Sequence, residues 1–577
     1  METLKKLNYL LDKKLKLKIV YTFILILIGS AAELIGVAIV LPIVDIAMGT
    51  EAVETNKMAL IITGFIGSDD KNTILLWMAG ITVVIYLIKD IYLYLMYRYV
   101  FRFSANIKRH MATRLMKAYL KQPYSYFLKR NTSELIRSVN LDSAQLYEIV
   151  NNCMLVASYG LTSLGIVIYL SITNLVLTLV VAGLLAMCAL LILLVLQKHF
   201  RRYGRENQRL SGYLIRYLQQ SFEGIKEIKL LGAEEYFIKN YNETYSKQAD
   251  ISVGYSTNNL IPKYIIEVVC IGGILGYLAV NVLVNPNYME VMPQLAIFCL
   301  AAFKLLPSVN AMSTYINTII YHKASIDLVY HDIKEADELE RSFENNSDSD
   351  GEISFEKEIC VKDVCFNYDS SDKVILKNGN IVIPKGHSVA FVGASGGGKT
   401  TTADIILSLL SPVSGSIMVD GHDIKENILG WRKKIGYIPQ AIYLTDDSIR
   451  ENVAFGIEDN DIDDDEVWRA LRQAQLEDFV LELKDGIDTK VGERGVRISG
   501  GQRQRIGIAR ALYRNPEILV FDEATSALDN ETEKEVMRAI ESLQGTKTII
   551  MIAHRLSTIE NCDEVYRIEE GNIVRER

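Results

Sequence analysis

The chain has 577 residues, with 62 Lys and Arg against 70 Asp and Glu, so its formal net charge is −8. This length exceeds one ordinary domain of about 150 residues, and the acidic balance excludes a chain built to bind nucleic acid. Hydrophobic residues make up 49% of the sequence and charged residues 23%. Ten prolines and the lack of any low-complexity tract exclude a fibrous or disordered protein. The seven cysteines are scattered without metal-ligand spacing, so we expect reduced thiols.

Six apolar runs in the first half of the chain are long enough to cross a bilayer, which takes about 20 helical residues. They predict an all-α transmembrane domain of six helices. The predicted spans are Val20–Met48, Ile74–Tyr97, Val150–Ser171, Leu175–Leu196, Ile265–Val284 and Leu295–Ile320. The first run is too long for the apolar part of a signal peptide, so we expect none.

The connections between the spans differ in charge. Basic residues crowd the N-terminus and the segments between spans two and three and between spans four and five, whereas the connection Asn285–Pro293 has no cation. Cytoplasmic loops collect Lys and Arg. We therefore predict that both termini lie in the cytoplasm.

The two basic segments keep a helical period well beyond membrane length. We expect two long cytoplasmic arms, Arg98–Val139 and Lys198–Gln248, with short turns at Gln122–Phe127 and Ser221–Ile225. On the outer side, the apolar stretch Met58–Ile66 is too short to span. It is either a helix on the membrane surface or a plain loop.

A polar stretch divides the chain into two halves. Lys334–Asp350 is rich in Asp, Glu, Ser and Asn, which predicts a solvated, flexible linker. The predicted boundaries are a transmembrane domain at 1–332, a linker at 333–352 and a soluble domain at 353–577.

The soluble half contains a phosphate-binding loop between a predicted strand, Ser388–Val392, and a predicted helix, Thr401–Leu410. Glycines let backbone N–H groups close around phosphate oxygens, and the helix N-terminus attracts negative charge. The lysine adds a positive charge at the β- and γ-phosphates, and the next hydroxyl suits Mg²⁺. The predicted ATP-binding residues are Gly393, Ser395, Gly396, Gly397, Gly398, Lys399, Thr400 and Thr401. The half is predicted to be an α/β P-loop NTPase domain.

Two adjacent acids follow a second apolar strand, Ile518–Phe521. This strand aims both carboxylates toward the phosphate loop. Asp522 suits the metal ion, and Glu523 suits a general base that activates the attacking water.

The segment Ile498–Arg505 (ISGGQRQR) resembles the signature of the ATP-binding cassette (ABC) transporters, with Ile498 where the family usually has Leu. Further matches occur in order within the soluble half. The resemblance covers the whole chain, because six spans before one ATPase domain resemble an exporter-type half-transporter. Those further matches are Tyr368, Gln440, the loop Lys490–Gly495, the segment Ser526–Asp529 and His554.

The resemblance implies roles at the nucleotide. Tyr368 stacks on adenine, and Gln440 reaches the metal ion and attacking water. His554 contacts the γ-phosphate, and Thr400, Gln440 and Asp522 hold Mg²⁺. The residues that bind the nucleotide of a second subunit are Ser499, Gly500, Gly501 and Gln502.

The resemblance also implies a dimer, because the signature of one chain faces the ATP of the other. One phosphate loop and one signature without a degenerate site favour a homodimer, and a heterodimer of two competent halves stays open. The implied location is the inner (plasma) membrane of a bacterial-type cell, with the ATPase domain in the cytoplasm.

Ionisable residues inside the spans are functional candidates because they are costly in a bilayer. Lys89, Lys263 and Lys304 would together suit a pyrophosphate head group, but pairing of Lys89 with Asp90 or Glu33, and of Lys304 with Glu267, is an equal alternative. The segments 33–37 and 304–310 are similar to the lipid-linked oligosaccharide flippase branch of the exporters.

Three functions remain open from the sequence. The first is an alternating-access flippase for polyprenyl-pyrophosphate-linked sugars, an amphipathic lipid substrate. The second is an exporter of drugs, other lipids or peptides, for which neutral cavity residues would matter more. The third is a membrane-anchored ATPase that does not transport, which the long arms disfavour because an anchor needs no coupling device.

Overall fold

The structure is a computed structural model. It describes residues 2–48, 64, 70–173, 175–284, 292–344, 353–368, 373–492, 495–523, 530–553 and 559–577. The chain forms two compact units. The first comprises Met1–Gln122 and Arg130–Leu339, and the second comprises Pro123–Lys129 and Glu340–Arg577.

The first half of the chain is helical. Its helices are α1 (Glu2–Leu10), α2 (Lys13–Met48), α3 (Lys71–Leu120), α4 (Tyr124–Lys129), α5 (Thr132–Arg137), α6 (Ser143–Thr173), α7 (Leu175–Glu223), α8 (Ile225–Leu231), α9 (Glu234–Val284), α10 (Met292–Tyr321) and α11 (Lys323–Glu344). A π-helical turn, Ser138–Asp142, connects α5 to α6.

The six predicted spans fall in α2, α3, α6, α7, α9 and α10. Within the described residues, five helices are long and apolar enough to cross a membrane. The sixth span lies in α10, several of whose side chains are outside the description. Helix α3 has 50 residues, about 75 Å at 1.5 Å per residue, so it extends far beyond an apolar layer of about 30 Å. The part of α3 beyond the second predicted span belongs to the predicted first arm.

Close contacts between helix backbones hold the membrane unit together. A Cβ on Gly204 of α7 would lie 1.8 Å from the Tyr321 carbonyl oxygen, so only glycine fits there. Between α2 and α3, the Tyr86 and Tyr92 hydroxyls of α3 donate to the carbonyls of Gly36 and Leu25 in α2, at 3.0 and 2.9 Å. These bonds satisfy tyrosine hydroxyls that would otherwise be costly in an apolar layer.

The arms break where predicted, but each break contains a short helix in place of a plain turn. In the first arm, α4 lies between Pro123 and Asn131, and Asn131 caps α5 through a side-chain bond to the Ser133 N–H. In the second arm, α8 ends at Gly232, which has a left-handed φ of +60°. Proline is tolerated at the start of a helix, and a glycine with a left-handed φ commonly ends one.

The predicted flexible linker is wrong for its first part, because α11 continues to Glu344. Contacts from distant parts of the chain stabilise this helix. The Tyr9 hydroxyl of α1 and the Arg114 guanidinium of α3 both bond to Asp337, at 2.9 and 2.8 Å. The rest of the linker and nearly all of Met58–Ile66 lie outside the described residues.

The second unit is an α/β domain. Its strands are β1 (Glu358–Asn367), β2 (Val374–Pro384), β3 (Ser388–Val392), β4 (Ser414–Val419), β5 (His422–Asp423), β6 (Ile435–Ile438), β7 (Ile518–Asp522), β8 (Thr548–Ile552), β9 (Glu564–Glu569) and β10 (Asn572–Arg575). Its helices are α12 (Lys399–Ile406), α13 (Ile428–Lys433), α14 (Ile449–Val453), α15 (Asp464–Gln473), α16 (Glu477–Glu482), α17 (Gly500–Tyr513) and α18 (Asn530–Glu541).

Two sheets organise this unit. One has the order β2-β1-β4-β5 and is antiparallel, and the other has the order β10-β9-β3-β8-β7-β6. Strands β9, β3, β8, β7 and β6 run parallel, so their carboxyl ends meet at one edge. Strands β3, β7 and β8 are buried along their whole length, as expected for parallel strands covered on both faces.

Candidate functional site: a nucleotide site at the edge of the parallel sheet

The phosphate loop joins β3 to α12 as predicted, although α12 begins at Lys399 and ends at Ile406 rather than Leu410. Gly393 has a φ of +136°, and a Cβ there would lie 2.2 Å from the Ile568 carbonyl oxygen, so no other residue fits. Lys399 Nζ donates to the carbonyls of Gly393 and Ala394, both at 3.0 Å. Burial lowers the pKa of Lys399, so an anion at this loop would compensate its desolvation.

The predicted metal ligands Thr400 and Asp522 are neighbours. Thr400 Oγ1 donates to Asp522 Oδ1 at 3.5 Å, and the Tyr437 hydroxyl donates to the other carboxylate oxygen at 3.4 Å. Burial raises the pKa of Asp522, and the negative charge of Glu523 raises it further. A hydroxyl and a carboxylate in this arrangement are hard oxygen ligands of the kind that Mg²⁺ prefers.

The structure also brings together two predicted catalytic residues. Gln440 Nε2 donates to Glu523 Oε2 at 2.8 Å. Glu523 has a left-handed φ of +48°, and its N–H donates to the Ile552 carbonyl at 3.2 Å. A non-glycine residue in this conformation is strained, and such strain is common at functional sites. The third, His554, lies outside the described residues.

Tyr368 lies near the start of the phosphate-loop helix. Its hydroxyl is 3.0 Å from Thr401 Oγ1, and its ring packs edge-on against Phe366 with the ring centres 5.0 Å apart. The aromatic ring predicted to stack on adenine is therefore held beside the predicted phosphate site.

The signature residues form the exposed start of α17. Ser499 caps this helix: its side chain accepts from the Gln502 N–H at 3.2 Å, and the Gln502 side chain accepts from the Ser499 N–H at 2.8 Å. Ser499 and Gly500 are exposed, whereas Gly501 is buried. Among the described residues, no hydrogen bond joins this segment to the phosphate loop. The exposed helix N-terminus suits an anion delivered from elsewhere.

Two polar residues of the site were missed from the sequence. Tyr437 donates a hydrogen bond to Asp522. Burial raises the pKa of Asp404 to about 6, and the nearby charge of Asp522 contributes. The signal for Asp404 was its spacing, because residues four apart share a helix face and Thr400 is the hydroxyl of the loop.

Of the three membrane lysines predicted to contact substrate, the structure describes the side chains of Lys89 and Lys263. Lys89 Nζ lies 2.7 Å from Asp90 Oδ1 and 3.6 Å from Glu33 Oε1, so the pairing alternative is confirmed for it. Lys89 is therefore already paired with two carboxylates. Lys263 is exposed, 5.8 Å from the Tyr264 ring centre. The Lys304 side chain, and with it the pairing to Glu267, lies outside the description.

A phosphate loop, two acids and a glutamine at one sheet edge, preceded by membrane-length helices, define a membrane-embedded P-loop ATPase. Residues 18–255 match the ABC transporter transmembrane region, and residues 376–526 match the ABC transporter family. The chain belongs to the ABC transporters, and its ATPase domain couples ATP hydrolysis to transport.

Known proteins agree with this assignment. The chain is 32% identical over 471 residues to an "ATP-dependent lipid A-core flippase" of Francisella novicida, covering 80% of this chain and 77% of the relative. It is 29% identical over 528 residues to a protein of the same description from Pectobacterium atrosepticum, covering 89% and 87%. A bacterial Atm1-family ABC exporter with ATP bound shares the fold, with a TM-score of 0.79, 24% identity, and coverage of 98% and 95%.

Proposed function

We propose that two copies of the chain form an ATP-driven lipid flippase that moves an amphipathic lipid from the cytoplasmic to the outer leaflet by alternating access. The ATPase part of this proposal depends on polar residues that meet at one edge of the sheet. They are Lys399, Thr400, Asp522, Glu523 and Gln440. The curated relatives, which are described as lipid A-core flippases, support a lipid as the substrate.

The ATP site fits a division of labour among its residues. Lys399 and the loop N–H groups hold the phosphates, and Tyr368 holds the base. Mg²⁺, which Thr400 and Asp522 suit, would supply charge neutralisation at the β- and γ-phosphates when bound.

Hydrolysis needs a base and a second subunit. Glu523 accepts the proton of the attacking water, Gln440 orients that carboxylate, and His554 is proposed to contact the γ-phosphate. The exposed N-terminus of α17, with Ser499, Gly500, Gly501 and Gln502, would bind the γ-phosphate held by the partner copy. The inner membrane, with both termini cytoplasmic, is the location that the basic arms favour.

An apolar cavity supports a lipid substrate. It has a volume of about 370 Å³ and lies among α6, α7, α9 and α10, which is within the usual size range of ligand pockets. Nearly all of its lining is hydrocarbon, including Val167, Leu185, Ile274, Leu305 and Val309. Such a lining suits an acyl or polyprenyl chain and offers little to a hydrophilic substrate.

For the identity of the substrate, we propose a polyprenyl-pyrophosphate-linked oligosaccharide. Lys304 and Lys263 would contact its anionic head group. Lys89 is already paired with Asp90 and Glu33, so we assign the main cationic contacts to Lys304 and Lys263. A lipid A-type glycolipid is the second candidate, because the curated relatives carry that description.

The test is ATPase activity of the purified chain in nanodiscs. Polyprenyl-pyrophosphate sugar, lipid A-type glycolipid and a hydrophobic drug are titrated separately on wild type, Lys304→Ala and the exposed-arm control Lys239→Ala. We expect several-fold stimulation by the pyrophosphate lipid, which Lys304→Ala loses and Lys239→Ala keeps. Stimulation by the glycolipid alone would select the second candidate. Stimulation by the drug alone would overturn the lipid substrate.

A further inference from the structure

Three metal-ligating side chains lie together on α11, far along the chain from the ATP site. His331, Asp332 and Glu335 occupy positions i, i+1 and i+4 of this helix. His331 Nδ1 lies 3.8 Å from Asp332 Oδ1 and 3.7 Å from Glu335 Oε2. All three donor atoms lie within 4.8 Å of one another, so one ion can reach all three after small side-chain adjustments.

Asp332 is the buried anchor of this cluster. It is 3% exposed, and its Oδ2 accepts a hydrogen bond from the Tyr119 hydroxyl at 2.5 Å. That bond leaves Oδ1 directed toward His331. Metal-binding carboxylates are commonly held this way, with a second hydrogen bond that fixes their orientation.

The local charge balance leaves room for a cation. The Arg130 guanidinium is 3.9 Å from Asp332 Oδ1, beyond hydrogen-bond distance. Two carboxylates therefore face one distant guanidinium.

Glu335 supplies an independent observation. The Glu335 side chain is 40% exposed, but its Oε2 atom is shielded from solvent and has no hydrogen-bond partner among the described residues. A buried carboxylate oxygen without a partner is uncommon, and an ion or ordered water usually explains it. The oxygen faces His331, whose side chain is 70% exposed. An ion can therefore reach the cluster from solvent on the side of His331.

We propose that His331, Asp332 and Glu335 bind one divalent transition-metal ion per chain, with Zn²⁺ as the preferred ion. One imidazole nitrogen and two carboxylate oxygens are borderline ligands that suit Zn²⁺ better than Mg²⁺ or Ca²⁺. A water would complete the coordination. The bound ion would fix the Asp332–Tyr119 contact and so tie α11 to the end of α3.

The test uses the full chain in nanodiscs, treated with chelator and free of nucleotide. Zn²⁺ is titrated by calorimetry into wild type, His331→Asn and Glu335→Gln. Glu338→Gln is the matched control, because Glu338 lies one turn away on the same helix and pairs with Lys334 at 3.4 Å. Asp332 is left intact because its burial makes a substitution there liable to unfold the helix contact.

We expect one tight Zn²⁺ per wild-type chain, at least about tenfold weaker binding in His331→Asn and Glu335→Gln, and no change in Glu338→Gln. Co²⁺ substituted for Zn²⁺ should give a visible spectrum without the thiolate charge-transfer band that cysteine ligands produce. Equal binding by all four proteins, a thiolate band, or the absence of stoichiometric binding would each overturn the site.

Discussion

At the residue scale, Asp404 shows how a buried carboxylate of the ATP site lowers the stability of the folded protein. Burial, and next the charge of Asp522, raise the pKa of Asp404 from 3.8 to about 6. The folded protein therefore holds a proton on Asp404 that the unfolded chain has lost between pH 4 and 6. By linkage, stability falls as the pH rises through this window and stays lowered above it.

Asp404→Asn should remove this loss. We expect the variant to be more stable than wild type by about 1 kcal/mol at pH 7.5, a value discounted for the partial exposure of the side chain. The difference should disappear near pH 4. Thermal unfolding of the metal-free chain from pH 4 to 7.5 measures this, with exposed Asp461→Asn as the control. A variant that is less stable than wild type at pH 7.5 would contradict the electrostatic argument.

At the scale of elements, the first arm is informative because its break belongs to the ATPase unit. Pro123–Lys129 groups with the second unit, although both flanking helices belong to the first. Burial raises the pKa of Tyr124, with contributions from Asp404 and Tyr368 of the nucleotide site. Because this segment groups with the ATPase unit and connects two helices of the other unit, it is a candidate for transmitting ATP binding and hydrolysis to the first arm.

Tyr124→Ala should therefore separate hydrolysis from transport. We expect basal ATPase activity within about twofold of wild type, because Tyr124 is not part of the proposed catalytic group, and loss of stimulation by the lipid substrate. ATPase assays in nanodiscs with and without lipid measure both quantities. Tyr245→Ala is the control, since Tyr245 is an exposed tyrosine on the second arm. Equal stimulation of both variants would exclude a coupling role for α4.

The same elements show what the sequence could and could not predict. Long apolar runs and the glycine-rich loop carry their structure locally, so the spans, β3, β7 and the phosphate loop were predictable. Helix α4 has only six residues, too few for a helical period to emerge. The end of α11 looks like a solvated linker because its stabilising partners, Tyr9 and Arg114, are hundreds of residues away.

The site follows the same division between local and long-range information. Lys399 and Thr400 were identified from a motif that is contiguous in sequence. The bond between Tyr437 and Asp522 joins residues 85 positions apart, and only the pairing of β6 with β7 brings them together. The pairing of Lys89 with two carboxylates was one of two readings that composition alone could not separate.

For the whole molecule, the decisive question is whether one copy can complete an ATP site. In the signature at the start of α17, Ser499 and Gln502 bond to each other within the helix, and Ser499 and Gly500 are exposed. In a two-fold symmetric dimer, each site would combine the phosphate loop of one copy with the signature of the other. The two halves of a site can therefore be damaged on separate chains.

Two variants in a Glu523→Gln background test this arrangement, because that background should retain ATP without hydrolysing it. Lys399→Ala disables the phosphate loop, and Ser499→Arg blocks the signature at a cost of about 1 kcal/mol for the lost helix cap. We expect dimers of either variant alone to retain no ATP after desalting. Mixed dimers, isolated through two different tags, should contain one doubly damaged site and one intact site.

The mixed dimers should accordingly retain about half the ATP of Glu523→Gln dimers, as two-fold symmetry requires. A chain that carries both substitutions, paired with an otherwise unmodified Glu523→Gln chain, is the matched control. It has the same number of changes, but each site receives one damaged half, so it should retain none. If the control retains about half the ATP and the mixed dimers retain none, each copy builds its own site and the exchange of signatures is wrong.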